Sequence, residues 1–181
     1  ISELLEVPGA SATVLEATVP YAHTSLASLL GQSPEQAVAN STARSLAMVA
    51  YQRAKALSPQ ADMQFGFGAS ASLVSNHLKK GQTRAHWAIQ SRTFSHAFSL
   101  ILQAHLSRQA QEQKLTEAFY HSIEWALLQT AGDWEIIEVK KESLIAPEPW
   151  QKLLDTEAYT VCTGNSEGKL LLPGSFNPIH E

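Results

Sequence analysis

The sequence holds one cysteine, Cys162, among 181 residues. This excludes an internal disulfide and a zinc site built from several cysteines, and it suits a reducing compartment. A basic excess is also missing: 13 Lys and Arg stand against 17 Asp and Glu, for a formal net charge of −4. That balance gives no overall attraction for nucleic acid or anionic lipid. No apolar run approaches the ~20 residues that cross a bilayer, and no basic start leads into an apolar signal segment. An initiator methionine is absent as well. Ile1, Leu4 and Leu5 have helical spacing, as though a helix were already under way, so both ends are expected to be cut. Together these absences point to a cytoplasmic protein with no nucleic-acid or membrane partner, and they call for neither metal nor cofactor.

What is present is a globular balance, with 44% hydrophobic and 17% charged residues, in a chain long enough for one self-supporting domain. Residues 1–6 read as a helix tail stopped by Pro8 and Gly9. In "ASATVLEATVPY", Val14, Glu16 and Thr18 alternate with Leu15, Ala17 and Val19, which predicts a strand. A short helix over 24–30 should end at Gly31. The next helix has the clearest start: Ser33 can cap it, Pro34 suits its first position, and Gln36 completes a capping box. Its stripe is Val38, Thr42, Leu46, Val49 and Arg53.

"DMQFGFGASAS" predicts a strand running into a small-residue loop. Ala85, Trp87 and Ile89 alternate with Arg84, His86 and Gln90. Phe94, His96, Phe98, Leu100 and Leu102 alternate with Thr93, Ser95, Ala97 and Ser99. With little but Arg92 between them, the two runs predict a hairpin. A long helix over about 107–131 should turn Leu115, Phe119, Ile123 and Leu127 inward and end at Gly132. Beyond it "DWEIIEVKKESLIAPEPW" reads as a strand followed by a proline-interrupted stretch, with a short helix near 149–155. A strand near 158–162, the turn "TGNSEG" and a final strand "KLLL" follow.

"ISELLEVPGASATVLEATVPYAHTSLASLLG" resembles the C-terminal domain of the competence/damage-inducible protein CinA family, whose active members are nicotinamide-nucleotide amidases. Val7 to Ser11, Tyr21, and Leu29 to Gly31 carry the likeness, and the element order through residue 131 agrees with it. The resemblance implies an α/β fold, a three-layer α/β/α arrangement with a mixed sheet, over residues 1–131, with an incomplete N-terminus and a homo-oligomeric state. It implies a catalytic role for Tyr21. The family's serine nucleophile would precede Ile1, Leu26 stands where the family has a lysine, and Phe65 and Ser70 replace a threonine and a proline of its Gly-rich loop. The implied domain is therefore degenerate as an amidase. It binds a mononucleotide or pyridine ribonucleotide, or serves as an oligomerising module. Two alternatives remain: a working nicotinamide mononucleotide amidase, and a purely structural module.

Residues 169–181 resemble the opening of a His-x-Gly-His superfamily nucleotidyltransferase domain. Gly174, Ser175, Phe176, Asn177, Pro178 and His180 match its signature in order. A Gly turn after a strand lets the chain approach phosphates, and a helix N-terminus favours their charge. This implies a fusion protein, with 132–168 as its connector. Nucleotidyl transfer is not expected from this chain alone.

The candidate ligand contacts are Gly66 and Gly68, where close backbone approach is possible, and Ser70 and Ser72 in the same small-residue stretch. Arg84 joins them, in a basic cluster with His77, Lys79 and Lys80, and so does Arg108, near where the family places a substrate-contacting arginine. His96, between Phe94 and Phe98, reads as a core histidine. Cys162 reads as a buried inert thiol.

Overall fold

Four antiparallel strands form a single sheet in the order β1-β2-β3-β4 in a computed structural model that describes residues 2–75, 81–128 and 138–155. They are β1 (Phe65–Ser72), β2 (Arg84–Ser91), β3 (Phe94–Ile101) and β4 (Val139–Ile145). The helices are α1 (Ser2–Leu5), α2 (His23–Leu30), α3 (Asn40–Leu57), α4 (Arg108–Leu128) and α5 (Glu148–Leu154). The protein is thus mixed α/β. The mixed sheet implied by the resemblance is not what these strands form, because all three pairings among the described residues are antiparallel. The connection from β2 to β3 is the predicted hairpin. Ser91 Oγ closes it by accepting the N–H groups of Thr93 and Phe94, each at 3.1 Å.

Alternation along the strands sorts the sheet into two faces. One carries Gly66, Gly68, Ala88 and Ala97, and α3 lies on it through Ala43 and Ala47. A Cβ at Gly68 would stand 2.6 Å from the Ala43 carbonyl oxygen. One at Gly66 would stand 2.8 Å from the Ala50 carbonyl carbon and closer still to Ala47 O and Tyr51 N. The "small-residue loop" is therefore strand, and its glycines admit a helix backbone. The opposite face carries Trp87, Ile89, Phe98 and Leu100, and it packs on Leu115, Ala118 and Ala126 of α4. Trp87 stacks on Phe98 with centroids 5.4 Å apart, and Phe119 meets Trp87 edge-on at 5.1 Å. The Trp87 indole N–H, fully buried, donates to Ser122 Oγ at 2.9 Å.

Four expectations shift. The strand predicted over Val14–Val19 does not form: Leu15 and Val19 are exposed, and Glu16 instead pairs with Arg53 of α3 at 2.8 Å. Alternation alone supplies no partner for its backbone groups. α3 starts at Asn40, not beside Ser33 and Pro34. The Gln36 and Val38 carbonyls are taken by Thr42 Oγ1 (2.6 Å) and Arg84 (3.2 Å), so tertiary bonds override the local cap. Its buried stripe is Thr42, Ala43, Leu46, Ala47, Tyr51 and Ala54, while Arg53 is exposed. Residues 139–145, expected in a connector, form the sheet's fourth strand. Asp155, just after α5, is held by Lys55 (3.3 Å) and Arg92 (2.5 Å). The elements expected near 158–162 and 169–172 lie outside the described residues, as does Cys162.

Other expectations hold. α2 ends at Gly31, whose φ of 75° is the left-handed conformation glycine adopts freely. On α4, Leu115 is buried, and Phe119 and Ile123 pack on the core. Leu127, expected inward, is instead exposed, because Gln111, Ala118, Ser122 and Ala126 fill the inward row. His96 is a core histidine: its ring stacks on Phe94 at 4.4 Å, and its Nδ1 bonds Ser143 Oγ at 3.0 Å.

Two predictions follow from this packing. Gly66→Ala or Gly68→Ala forces helix and sheet apart, with an expected loss of about 3 kcal/mol or more in urea unfolding. Burial, then the Lys141 and Arg44 charges, lowers the His96 pKa from 6.5 to about 4. The unfolded chain binds that proton more readily than the folded one. Stability should fall as pH drops from 6.5 toward 4, by at most about 3 kcal/mol for this residue. Unfolding curves across that range should be flatter for His96→Phe.

Candidate functional site

Four of the residues singled out by sequence, Ser70, Ser72, Arg84 and Arg108, lie toward one end of the sheet, the first three on the α3 face and Arg108 at the start of α4. β1 ends at Ser72, which faces Arg84 at the start of β2, and Arg84 faces Ile101 at the end of β3. Both long helices begin here. Arg84 donates to the Val38 carbonyl, just before α3, at 3.2 Å. Arg108, the first residue of α4, donates to the Val74 carbonyl, just after β1, at 3.4 Å. α3 then runs antiparallel to β1, passing Gly68 at Ala43 and Gly66 at Ala47 and Tyr51. α4 runs the same way, from Val74 at Gln111 to Phe67 at Phe119. Two helix N-termini therefore lie at this end on opposite faces of the sheet, Arg84 on the α3 side and Arg108 on the α4 side, where Arg108 also pairs with Glu112 at 2.9 Å.

A polar row crosses the α3 face just inside it, in the register Ser70–His86–Ser99. His86 Nδ1 and Ser99 Oγ lie 2.8 Å apart. Burial, then the Arg84 charge, lowers the His86 pKa below its usual 6.5, with Glu142 opposing. The imidazole is thus neutral at pH 7. Ser70 Oγ and Arg84 Nε are shielded from solvent and have no hydrogen-bond partner among the described residues. Buried donors left this way cost about 1–3 kcal/mol each, a cost that an acceptor removes.

The remaining candidates stand apart. Gly66 and Gly68 lie beneath α3, where helix backbone fills the space beside them. Tyr21 is 90% exposed, and no described hydrogen bond ties its side chain to Ser70, Ser72, Arg84 or Arg108. Leu26, at the position of the family's lysine, is buried in α2, and Phe65 packs against the aromatic core. His77, Lys79, Lys80 and the motif from Gly174 to His180 lie outside the described residues. Among the described residues, no group of three His, Cys, Asp or Glu side chains is placed to hold a metal ion. Among the same residues, no helix is long and apolar enough to cross a membrane.

Sequence reasoning missed two features of this end. The Ser99–His86 pair was within reach, since the hairpin turn at Arg92 and Thr93 sets which residues face each other. Gln111, fully buried in the first turn of α4, gave no signal, because a single glutamine on a helix looks solvated. Removing the Arg84 charge should raise the His86 pKa toward 6.5. An NMR titration of the imidazole in Arg84→Met checks this, and an unmoved pKa would contradict the arrangement. No family model, curated protein or solved structure matches the chain.

Proposed function

We propose that this chain is an anion-binding module for a mononucleotide or pyridine ribonucleotide, with the ligand's phosphate at the end of the sheet where β1 stops. The observation that carries this reading is the placement of Ser70, Ser72 and Arg84 on one face at the end where α3 begins, with Arg108 at the same end on the α4 side. Arginine suits phosphate through paired N–H donors, and helix N-termini add to the attraction.

The reading extends to a three-layer α/β/α domain of the CinA C-terminal type that has lost amidase chemistry. The burial of Leu26 in α2 supports that loss, since a core leucine can neither carry charge nor move a proton. The domain would work in the cytoplasm as a homo-oligomer, joined to a nucleotidyltransferase. That last part rests on the motif Gly174, Ser175, Phe176, Asn177 and His180 alone.

Calorimetry and thermal unfolding with nicotinamide mononucleotide test the binding. Saturation at a hundredfold excess over Kd should stabilise the protein by about 2.7 kcal/mol. Arg84→Met and Arg108→Met should each weaken binding about tenfold, or about 1.4 kcal/mol. Absence of heat and stabilisation at millimolar ligand leaves the purely structural module. Ammonia release that depends on Tyr21 would instead support the amidase.

A further inference from the structure

Gln111 is a fully buried primary amide, 0% exposed, in the first turn of α4. Such a group is tolerated in a core only when its donor and acceptor are both matched. Its Oε1 accepts the Val74 N–H at 2.8 Å, and its Nε2 donates to the Gln103 carbonyl at 2.9 Å. One side chain therefore ties together the chain leaving β1 and the chain leaving β3. Arg108, one turn earlier on α4, holds the Val74 carbonyl. Both backbone polar groups of Val74 are thus taken by the start of α4, which sets the orientation of that residue.

The linkage continues to the arginine on the neighbouring strand. Gln103 follows Leu102, whose N–H donates to the Thr83 carbonyl at 2.9 Å and whose carbonyl accepts the Thr83 hydroxyl at 2.8 Å. Thr83 and Leu102 are both buried, and Thr83 precedes Arg84. A continuous path therefore runs from Ser72 through Val74, Gln111, Gln103, Leu102 and Thr83 to Arg84. Gln111 is the one side chain that joins its β1 and β3 parts, and it shares a helical turn with Arg108.

We infer that Gln111 is a positioning residue that sets the spacing of Ser72, Arg84 and Arg108 for the ligand. This rests on the anion-binding reading. A glutamine that only filled core volume would be replaceable by methionine with no change at the sheet end. A positioning glutamine would not be, because Val74 N–H and the Gln103 carbonyl lose their partner while the apolar packing survives.

The test compares wild type, Gln111→Met and Gln111→Glu in two measurements. In amide hydrogen exchange, Gln111→Met should speed exchange at Val74 at least tenfold and leave Ala88 and Ala97, in the strand centres, unchanged. In calorimetry, it should weaken nicotinamide mononucleotide about tenfold. Gln111→Glu should approach wild-type affinity at pH 5, where a protonated carboxyl donates as the amide does. At pH 8 it should fall below wild type measured at the same pH. Equal acceleration at Val74, Ala88 and Ala97 would overturn the inference, since the residue would then stabilise the whole fold. Wild-type affinity in Gln111→Met would also overturn it while leaving the binding reading intact. No binding by wild type would remove both.

Discussion

The contact on which this architecture depends is the approach of α3 to β1 at Gly66 and Gly68. Helix and strand backbones meet there at a distance that no side chain on the strand permits. Ala43 and Ala47 continue the same logic from the helix side, and Ala88 and Ala97 from the sheet. A face of such small residues contributes little apolar area per residue. Its stability comes from close packing, where dispersion contacts are many and any added methyl group has nowhere to go. This contact also sets the direction of α3, so that its N-terminus falls beside Ser72 and Arg84.

The other face works by different means. Trp87, Phe98, Phe67 and Phe119 fill the space between the sheet and α4 with rings, and the one polar atom of Trp87 finds Ser122. Large side chains hold that helix farther from the strands, and their area supplies the main hydrophobic contribution. His96 belongs to this face. Its neutral form follows from burial among Phe94 and Trp125, with Lys141 and Arg44 opposing a further positive charge.

Because both helices run antiparallel to β1, their N-termini lie at the same end, on opposite faces of the sheet. An arginine contact lies beside each start: Arg84 of β2 donates to Val38, just before α3, and Arg108 of α4 donates to Val74. Ser70, Ser72 and Arg84 are half-buried while Arg108 is exposed, and Gln111 joins the segments that carry them. Packing on two chemically different faces thus produces one shared polar end.

Local pattern determined much of this protein. The alternation in 84–102 placed Trp87 and Phe98 on one face and His86 and Ser99 on the other, because side-chain direction in a strand follows a period of two. Gly31 marked a helix end because it adopts a left-handed φ freely. What pattern could not supply was partnership. Val14–Val19 alternates as a strand does, yet pairs with no strand among the described residues. Ser33, Pro34 and Gln36 look like a helix start, yet Thr42 and Arg84 claim the carbonyls that follow. Gly66 and Gly68 signal close backbone approach in either setting, and only the tertiary structure decided that the approaching backbone is α3. The reason is that a residue's neighbours along the chain set its preferences, while its neighbours across space set which of those preferences is satisfied.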